Sequence, residues 1–260
     1  MKKIISMLLI AVALLSLCGC SRGAPENQVF SPSDLEGKQT GIVTDSTTGY
    51  FLSDLEKLGI NVRTYTDARV AVNDVESGSL DCAIMDEETA KDQLSMFSSS
   101  EILDTPVIDA ELSIVTALES ASLLSVIDST LGELIDDGIV NRIANNYLGG
   151  KEYVYKSPED IEYSGTLKLA VNAIGQPFAF YNVQGELVGM DIDIARAVCD
   201  EMGVELTVVD AGGEDLYGYI RSGKADLAMG CLYKNDSTKD LVSFSQSYYT
   251  STQVIVVRKK

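Results

Sequence analysis

The chain of 260 residues contains no histidine. Histidine is the commonest protein ligand of catalytic zinc, and it is the general base in Ser-His-Asp triads and Cys-His dyads. Its absence therefore excludes His-ligated metal sites and both of these forms of nucleophilic catalysis. No other pattern indicates a metal or another cofactor, and we predict neither.

Paired cysteines and basic residues are also scarce. Cys82, Cys199 and Cys231 lie within apolar stretches and in no paired spacing, which is typical of small core residues. A Cys199–Cys231 disulfide remains open. The chain has 20 Lys and Arg against 39 Asp and Glu, a formal charge of −19. This acidic balance argues against nucleic acid or an anionic lipid surface as a partner of the folded part.

The longest apolar run, residues 4–17, is too short for a comfortable transmembrane span. It follows Lys2 and Lys3 and ends in Leu17-Cys18-Gly19-Cys20. Basic residues, an apolar run and a Leu-x-Gly-Cys ending predict a lipoprotein signal over residues 1–20, with lipidation of Cys20 and an extracytoplasmic, membrane-anchored location. The alternative is an ordinary cleaved signal with incidental cysteines. Residues 21–34 are polar and predict a flexible tether.

A short passage, SGSLDCA from Ser77, recurs as SGKADLA from Ser222. Each copy ends a β-α-β-α-β pattern, so the chain is predicted to be α/β, with two lobes, parallel strands and a cleft between them. Predicted strands cover 39–43, 61–65, 81–85, 112–117, 166–172, 204–209, 225–229 and 253–257. Predicted helices cover 49–58, 68–77, 86–96, 122–135, 138–148, 191–202 and 214–221.

Several motifs resemble a known family. Residues 165–258 carry PFAF from Pro177, GELVGMDIDIA from Gly185 and SFSQSYY from Ser243. They resemble the first half of a type II extracellular solute-binding protein of the amino-acid ABC importer family. Residues 35–149 resemble the second half of that family, through LEGK from Leu35 and the Thr44-Asp45-Ser46-Thr47 turn. The resemblance implies a two-lobed periplasmic-binding-protein-like type II fold with a hinge.

The two halves stand in the reverse of the family's usual order, so the chain resembles a natural circular permutant. Such a change needs only a linker between neighbouring ends, and loop-closure entropy changes slowly with linker length. The alternative is a fusion of two incomplete halves that assemble with other chains. The predicted organisation is a signal at 1–20, a tether at 21–34, one lobe at 35–108 plus 253–260, a hinge strand and helices at 109–150, a linker at 151–165 and the other lobe at 166–252.

The resemblance also implies where a ligand binds. In the family, a Ser/Thr turn and an arginine hold the ligand carboxylate, and an aspartate pairs with the ammonium group. The matching or neighbouring positions here are Thr44, Asp45, Ser46, Thr47, Asp86, Asn172, Gln176, Phe178, Gly230, Tyr233 and Lys234. The alternative is that Asp45, Ser46 and Asp86 serve only as helix caps.

The chain departs from the family after Gly230, where the expected arginine is absent. Lys234 is the nearest replacement, but it offers a point charge without the bidentate fork of arginine, and a solvated loop lysine is an equal alternative. Asp45 stands where the family commonly has glycine. The added negative charge favours a ligand with positive or neutral groups.

The leading hypothesis is a lipid-anchored receptor that captures an amino acid or similar small molecule and delivers it to an ABC transporter permease. The alternatives are a sensory or partner-binding lipoprotein without a transport role, and a dehydratase-like enzyme on the same scaffold that uses Asp86 or Glu87 as acid or base. No nucleophile or acid pair stands out in the sequence, so we predict that the protein is not an enzyme.

Overall fold

The computed structural model describes residues 24–44, 47–149, 155–173 and 175–259. The strands are β1 (Gln39–Val43), β2 (Asn61–Tyr65), β3 (Cys82–Asp86), β4 (Ser100–Ile102), β5 (Ile108–Thr116), β6 (Thr166–Val171), β7 (Phe180–Tyr181), β8 (Leu187–Val188), β9 (Glu205–Asp210), β10 (Leu227–Ala228) and β11 (Ser243–Arg258). The α-helices are α1 (Leu52–Glu56), α2 (Ala68–Ser77), α3 (Glu87–Leu94), α4 (Ala121–Asp136), α5 (Ile139–Gly149), α6 (Met190–Glu201) and α7 (Leu216–Arg221). Two short 3-10 helices cover Pro32–Asp34 and Thr47–Phe51.

Nine strands form one continuous mixed sheet. Eight of them follow the order β2-β1-β3-β11-β5-β10-β6-β9, and β4 pairs with β11. The β2-β1-β3 and β10-β6-β9 ends are parallel, while β11 and β5 run antiparallel to their neighbours. We call the β2-β1-β3 end with α1 to α3 lobe A, and the β10-β6-β9 end with α4 to α7 lobe B. The mixed α/β class agrees with the prediction.

The two lobes are joined through the long strand β11. Its last part pairs with β3, from Gln253 opposite Asp86 to Val257 opposite Cys82. Its first part pairs with β5, from Ser243 opposite Thr116 to Gln253 opposite Ile108, with two irregularities in the register. The predicted strand at 253–257 was therefore ten residues too short at its start. The missed part alternates polar and aromatic residues rather than forming an apolar run, so composition concealed it.

Local sequence explains how the elements of lobe A begin and end. Asp67 precedes α2 and its carboxylate accepts a hydrogen bond from the Arg69 N–H, which satisfies a donor at the helix start. Gly78 ends the helix with φ of 81°, in the left-handed region that glycine adopts without strain. The predicted helix at 49–58 divides into the 3-10 turn and the short α1, because its first turn tightens against the end of β1.

Apolar side chains pack on both faces of the sheet. One cluster lies in lobe A around Val72, Ala83 and Val256, and another lies in lobe B around Ala170, Ile220 and Ala228. A larger cluster continues from lobe A into lobe B, and in lobe B the helices α4, α5 and α6 pack against one another. Cys82, Cys199 and Cys231 are all buried and unpaired in the described chain, as predicted for core residues.

The described part of the predicted tether packs on lobe A. Val29 is fully buried in the main core, and the Pro25 carbonyl accepts a hydrogen bond of 2.9 Å from Arg258 Nε at the end of β11. Residues 24–34, for which the composition predicts a flexible tether, thus make packing and hydrogen-bonding contacts in the structure. The polar composition of this segment obscured one apolar anchor and several backbone contacts. The predicted signal segment, with Cys20, lies outside the described residues.

Among the described residues, no helix combines the length and apolar character that a membrane crossing requires.

Candidate functional site

A cavity of about 530 Å³ lies between the two lobes. Lobe A contributes the turn after β1 and the start of α3, and lobe B contributes the end of α5 and the loop after β6. The lining residues are Thr47, Asp86, Glu88, Thr89, Asp92, Tyr147, Leu148, Gln176 and Pro177. The volume falls in the range of small-molecule sites. Three residues predicted from the sequence, Thr47, Asp86 and Gln176, meet at this cavity.

Asp86 is the last residue of β3 and the N-cap of α3. Its Oδ1 accepts a hydrogen bond of 2.9 Å from the Thr89 N–H, and its Oδ2 accepts one of 2.8 Å from the Thr89 hydroxyl. The carboxylate is thus fixed at the cavity wall by its own helix. Capping and ligand binding are compatible here, because a carboxylate can accept about four hydrogen bonds and two are in use.

The turn after β1 is only partly described, since Asp45 and Ser46 lie outside the described residues. Thr47 is buried, and its hydroxyl oxygen accepts a hydrogen bond of 3.3 Å from Gln253 Nε2. Thr44 hydrogen-bonds to the neighbouring strand β2, because its N–H and hydroxyl both donate to the Tyr65 carbonyl. Within the described part of the turn, Thr47 is the residue that faces the cavity.

The lobe B wall is formed by Gln176, Pro177 and Tyr147. Gln176 is exposed in the cleft. The Tyr147 hydroxyl donates a hydrogen bond of 2.8 Å to Asp193 Oδ2 in α6, which fixes the ring at the cavity edge. Asn172 lies outside the lining, because its side chain bridges the Gly213 N–H and the Glu214 carbonyl in a lobe B loop.

Phe178 is fully buried next to the cleft and outside the cavity lining. Its ring meets Tyr50 of lobe A edge-to-face at 5.1 Å between centroids, and Tyr249 of β11 at 6.2 Å. Edge-to-face contacts of this kind add to the free energy of area burial. Phe178 therefore packs the lobes together beside the cavity.

The segment that lacks the family's arginine contains Gly230, Tyr233 and Lys234, none of which lines the cavity. Gly230 has φ of 136°, and a Cβ placed there would lie 3.1 Å from Leu216 Cδ1. Lys234 is exposed and makes no hydrogen bond or ion pair in the described chain. Its position is that of a solvated loop lysine.

Tyr233 instead reaches across the cleft to lobe A. Its hydroxyl donates a hydrogen bond of 2.6 Å to Asp54 Oδ2, and its ring meets Phe51 at 5.7 Å. A second cross-lobe hydrogen bond of 2.7 Å runs from the Tyr50 hydroxyl to the Gly175 carbonyl. Burial lifts the pKa of the Asp54 carboxyl, but hydrogen bonds from Lys57 and Tyr233 outweigh it and hold that pKa below its usual value. The carboxylate is therefore a charged acceptor for the Tyr233 hydroxyl.

The ionisable side chains that line the cavity are acidic, apart from Tyr147. Asp86, Glu88 and Asp92 come from one helix and the residue before it. Burial, and next the negative charges of Asp86 and Glu88, raise the pKa of Tyr249 to about 12. The cavity is therefore a region of negative potential beside an aromatic ring.

A further buried carboxyl lies beneath the cleft, at the first turn of α6. Asp191 is fully buried, and its Oδ1 accepts a hydrogen bond of 2.8 Å from Tyr248, while its Oδ2 has no partner in the described chain. Burial raises the pKa of this carboxyl to about 7, against the effect of the Tyr248 hydrogen bond. Burial, followed by the charges of Cys231 and Asp191, also raises the pKa of Tyr50 far above its usual value.

Sequence reasoning missed Tyr50, Asp54 and most of the α3 face. The sequence does contain a pattern that indicates the α3 face: Glu88 and Asp92 are four residues apart and share a helix face, close to the N-cap Asp86. No comparable signal marks Tyr50 or Asp54, because their role depends on which residues of lobe B lie opposite.

A second cavity, of about 480 Å³, lies on lobe A beside the N-terminal segment and contains none of the predicted site residues. It is lined by Ala24, Pro25, Glu26, Asn27, Phe30, Glu76, Ser99, Arg258 and Lys259. In the described ranges, no three His, Cys, Asp or Glu side chains are grouped as metal ligands.

Comparison with known proteins finds matches in the second half of the chain. Residues 167–260 match the family "Bacterial extracellular solute-binding proteins, family 3". The histidine-binding periplasmic protein of Salmonella typhimurium is 28% identical over 93 residues, which are 36% of this chain and 36% of that protein. The arginine-binding extracellular protein ArtP of Bacillus subtilis is 30% identical over 97 residues, 37% of this chain and 38% of that protein. This chain therefore covers little more than a third of the length of these relatives.

Solved structures match this chain over different shares of its length. The arginine-bound form of domain 1 from TmArgBP is 28% identical, with a TM-score of 0.32, over 39% of this chain and 86% of that one. A phosphate-binding protein of a Streptococcus pneumoniae phosphate ABC transporter is 10% identical, with a TM-score of 0.41, over 86% of this chain and 90% of that one. The matched family region contains Gln176 and Phe178, whereas Thr47 and Asp86 of the lobe A wall lie outside it.

Proposed function

We propose that this chain captures a small polar ligand, an amino acid or a derivative, between its lobes, because residues 167–260 match the bacterial extracellular solute-binding proteins, family 3. The ligand is then delivered to an ABC transporter permease. The relatives reported above are named as binding proteins for histidine and arginine, which supports binding rather than catalysis.

The observation that carries the proposal is the cavity between the lobes. Its walls come from both lobes, so a ligand that contacts Asp86 on one side and Gln176 on the other stabilises their closed arrangement. Asp86 accepts a ligand ammonium group, while Thr47 and Gln176 offer neutral hydrogen-bonding groups. The acidic lining favours a cationic ligand, in keeping with the relatives that are named as histidine-binding and arginine-binding proteins.

We further propose that the halves of the chain are circularly permuted relative to the family. The matched family region supplies the strands and the helices α6 and α7 of lobe B and the shared strand β11, while residues 39–116 supply the rest of the same sheet. Pro25 and Arg258, which are far apart in sequence, are in contact on lobe A. A single chain that completes its own sheet supports the permutant over the fusion of two incomplete halves.

The cellular location is part of the same proposal. The lipobox-like ending at Cys20 supports an extracytoplasmic protein tethered to the membrane by lipid. Since residue 24 begins a segment that packs on lobe A, this lobe would be the one nearer the membrane anchor. Metabolic labelling with a fatty-acid analogue, lost in Cys20→Ser, tests the anchor.

Isothermal titration calorimetry with a panel of amino acids and their amine derivatives tests ligand binding. Asp86→Asn keeps a good helix N-cap but removes the charge, and we expect about tenfold weaker binding of a cationic ligand. Asp215→Asn is the matched control, because Asp215 caps α7 through the N–H groups of Tyr217 and Gly218 and lies outside the cavity. A panel without any binder, or equal effects of the two substitutions on affinity, contradicts the proposal.

A further inference from the structure

The cavity between the lobes carries a marked imbalance of charge. Asp86, Glu88 and Asp92 line it, and none of its described lining residues is Lys or Arg. Lys91, on the same helix, forms ion pairs with Glu87 at 3.2 Å and Glu88 at 3.1 Å. Asp86 and Asp92 have no ion-pair partner in the described chain, so two lining carboxylates are left without a countercharge.

A second, independent observation concerns the side chain behind this wall. Gln253 is fully buried and stands opposite Asp86 in the β3–β11 register. Its Nε2 donates to Thr47 Oγ1 and Ser251 Oγ, and its Oε1 has no partner in the described chain. A buried acceptor without a donor is costly. Gln253 itself does not line the cavity, so this oxygen lies behind Thr47 and not at the cavity surface.

An aromatic ring adjoins the carboxylates. Tyr249 lines a small side cavity of about 80 Å³ together with Asp86, Glu87 and Glu88. The face of an aromatic ring attracts a cation, and this attraction is larger for a desolvated cation. The lining carboxylates and the tyrosine ring favour the same class of ligand group.

The described lining of the cavity offers little to a ligand carboxylate; Asp45 and Ser46 of the turn after β1 lie outside the described residues. The Thr89 N–H at the start of α3 is already bonded to Asp86, and the Thr89 hydroxyl donates to it as well. Lys234 is exposed and outside the lining, and the Tyr233 hydroxyl is bonded to Asp54. A carboxylate buried here would lie beside carboxylates of the protein without a compensating cation, which is strongly unfavourable.

We infer that the ligand of this cavity is a cationic amine that lacks a carboxylate, such as a diamine or a decarboxylated basic amino acid. The inference rests on the proposed capture of a ligand between the lobes, and it narrows the chemical class of that ligand. The ammonium or guanidinium group lies between Asp86 and Asp92, and its N–H groups donate to these two carboxylates.

Matched pairs of probes that differ only in the carboxylate test the inference by calorimetry. The pairs are agmatine with arginine, histamine with histidine, and 1,4-diaminobutane with ornithine. The amine of a pair is expected to bind at least about tenfold more tightly, since it lacks the negative charge that the lining carboxylates repel. Its affinity should fall as ionic strength rises, because the attraction is screened.

The outcomes separate this inference from the proposed function. If arginine, histidine or ornithine binds as tightly as its amine partner, the inference is overturned while ligand capture stands. If no probe of either kind binds, ligand capture itself is contradicted. Tighter binding of the amines supports both.

Two variants locate the binding. Asp92→Asn should weaken agmatine binding about fivefold to twentyfold, because a cation then loses one of two unpaired carboxylates. Asp236→Asn is the control, since that side chain is fully exposed on lobe B and pairs with Lys239. Equal agmatine affinity in Asp92→Asn and the wild type would place the amine elsewhere and overturn the inference.

Discussion

Removal of one hydroxyl group, in Tyr233→Phe, should loosen the closed arrangement of the lobes. Tyr233 lies in lobe B and its hydroxyl donates a hydrogen bond of 2.6 Å to Asp54 of lobe A. The substitution keeps the ring and its contact with Phe51. Asp54 also keeps its ion pair with Lys57 at 2.6 Å, so no unpaired carboxylate is left behind. The change therefore reports on the cross-lobe hydrogen bond alone.

The magnitude follows from the character of this bond. A hydrogen bond to a charged group contributes about 1.5–3 kcal/mol. The Asp54 side chain is 34% exposed, and solvent screening reduces the contribution to about 1–2 kcal/mol. Since 1.4 kcal/mol is a factor of ten in an equilibrium constant, the ratio of open to closed molecules should rise about fivefold to thirtyfold.

Small-angle X-ray scattering of the unliganded protein measures this opening as an increase in the radius of gyration. The matched control is Tyr65→Phe, because the Tyr65 hydroxyl donates a hydrogen bond of 2.7 Å to Asp74 within lobe A. We expect a larger radius for Tyr233→Phe and an unchanged one for Tyr65→Phe. If wild type and Tyr233→Phe have the same radius of gyration, both without ligand and with saturating ligand, the reasoning is refuted.

Two further predictions concern stability and chain order. Burial raises the pKa of Asp191 from 3.8 to about 7, so the folded state holds a proton that the unfolded state releases, and stability from this group is lost as pH rises from about 4 to 7. Urea unfolding measures the free energy of unfolding, which should rise in Asp191→Asn relative to the wild type by up to about 4 kcal/mol from pH 4 to pH 8. A difference between variant and wild type that does not change with pH would contradict the raised pKa of Asp191. A rearranged chain that starts at residue 166, runs to residue 259, continues through a short linker into residues 24–149 and ends there should fold and bind the same ligand, because Arg258 already contacts Pro25. Loss of cooperative thermal unfolding in this chain would speak against the permutant.

The sequence was most informative where one periodic pattern decided the structure. Strands β1, β2 and β6 and helices α2 and α6 were predicted to within a residue or two. In α2 the buried residues Ala71, Val72 and Val75 recur at helical spacing on one face. The extent of β11 was missed because its first part has polar and aromatic residues, which pair with β5 through backbone bonds. Periodicity carries no signal for such pairing.

Some residues of the candidate site could be located from the sequence, and others could not. Asp86 and Thr47 were located through the family resemblance, and in the structure Asp86 ends β3 while Thr47 lies in the turn after β1, both at the cavity. Tyr50 and Tyr233 could not be assigned their partners, since a cross-lobe contact depends on how the two lobes are placed, not on either local sequence. The exposed position of Lys234 likewise depends on the path of the loop after β10.

A crystal structure of the protein bound to the tightest ligand of the calorimetric panel tests the central claim most directly. The ligand is expected between the lobes, with its cationic group within hydrogen-bonding distance of Asp86 and its other end against Gln176. The cavity beside Arg258 on lobe A is nearly as large, at about 480 Å³. A ligand found only there, with the space between Asp86 and Gln176 unfilled, would contradict capture between the lobes.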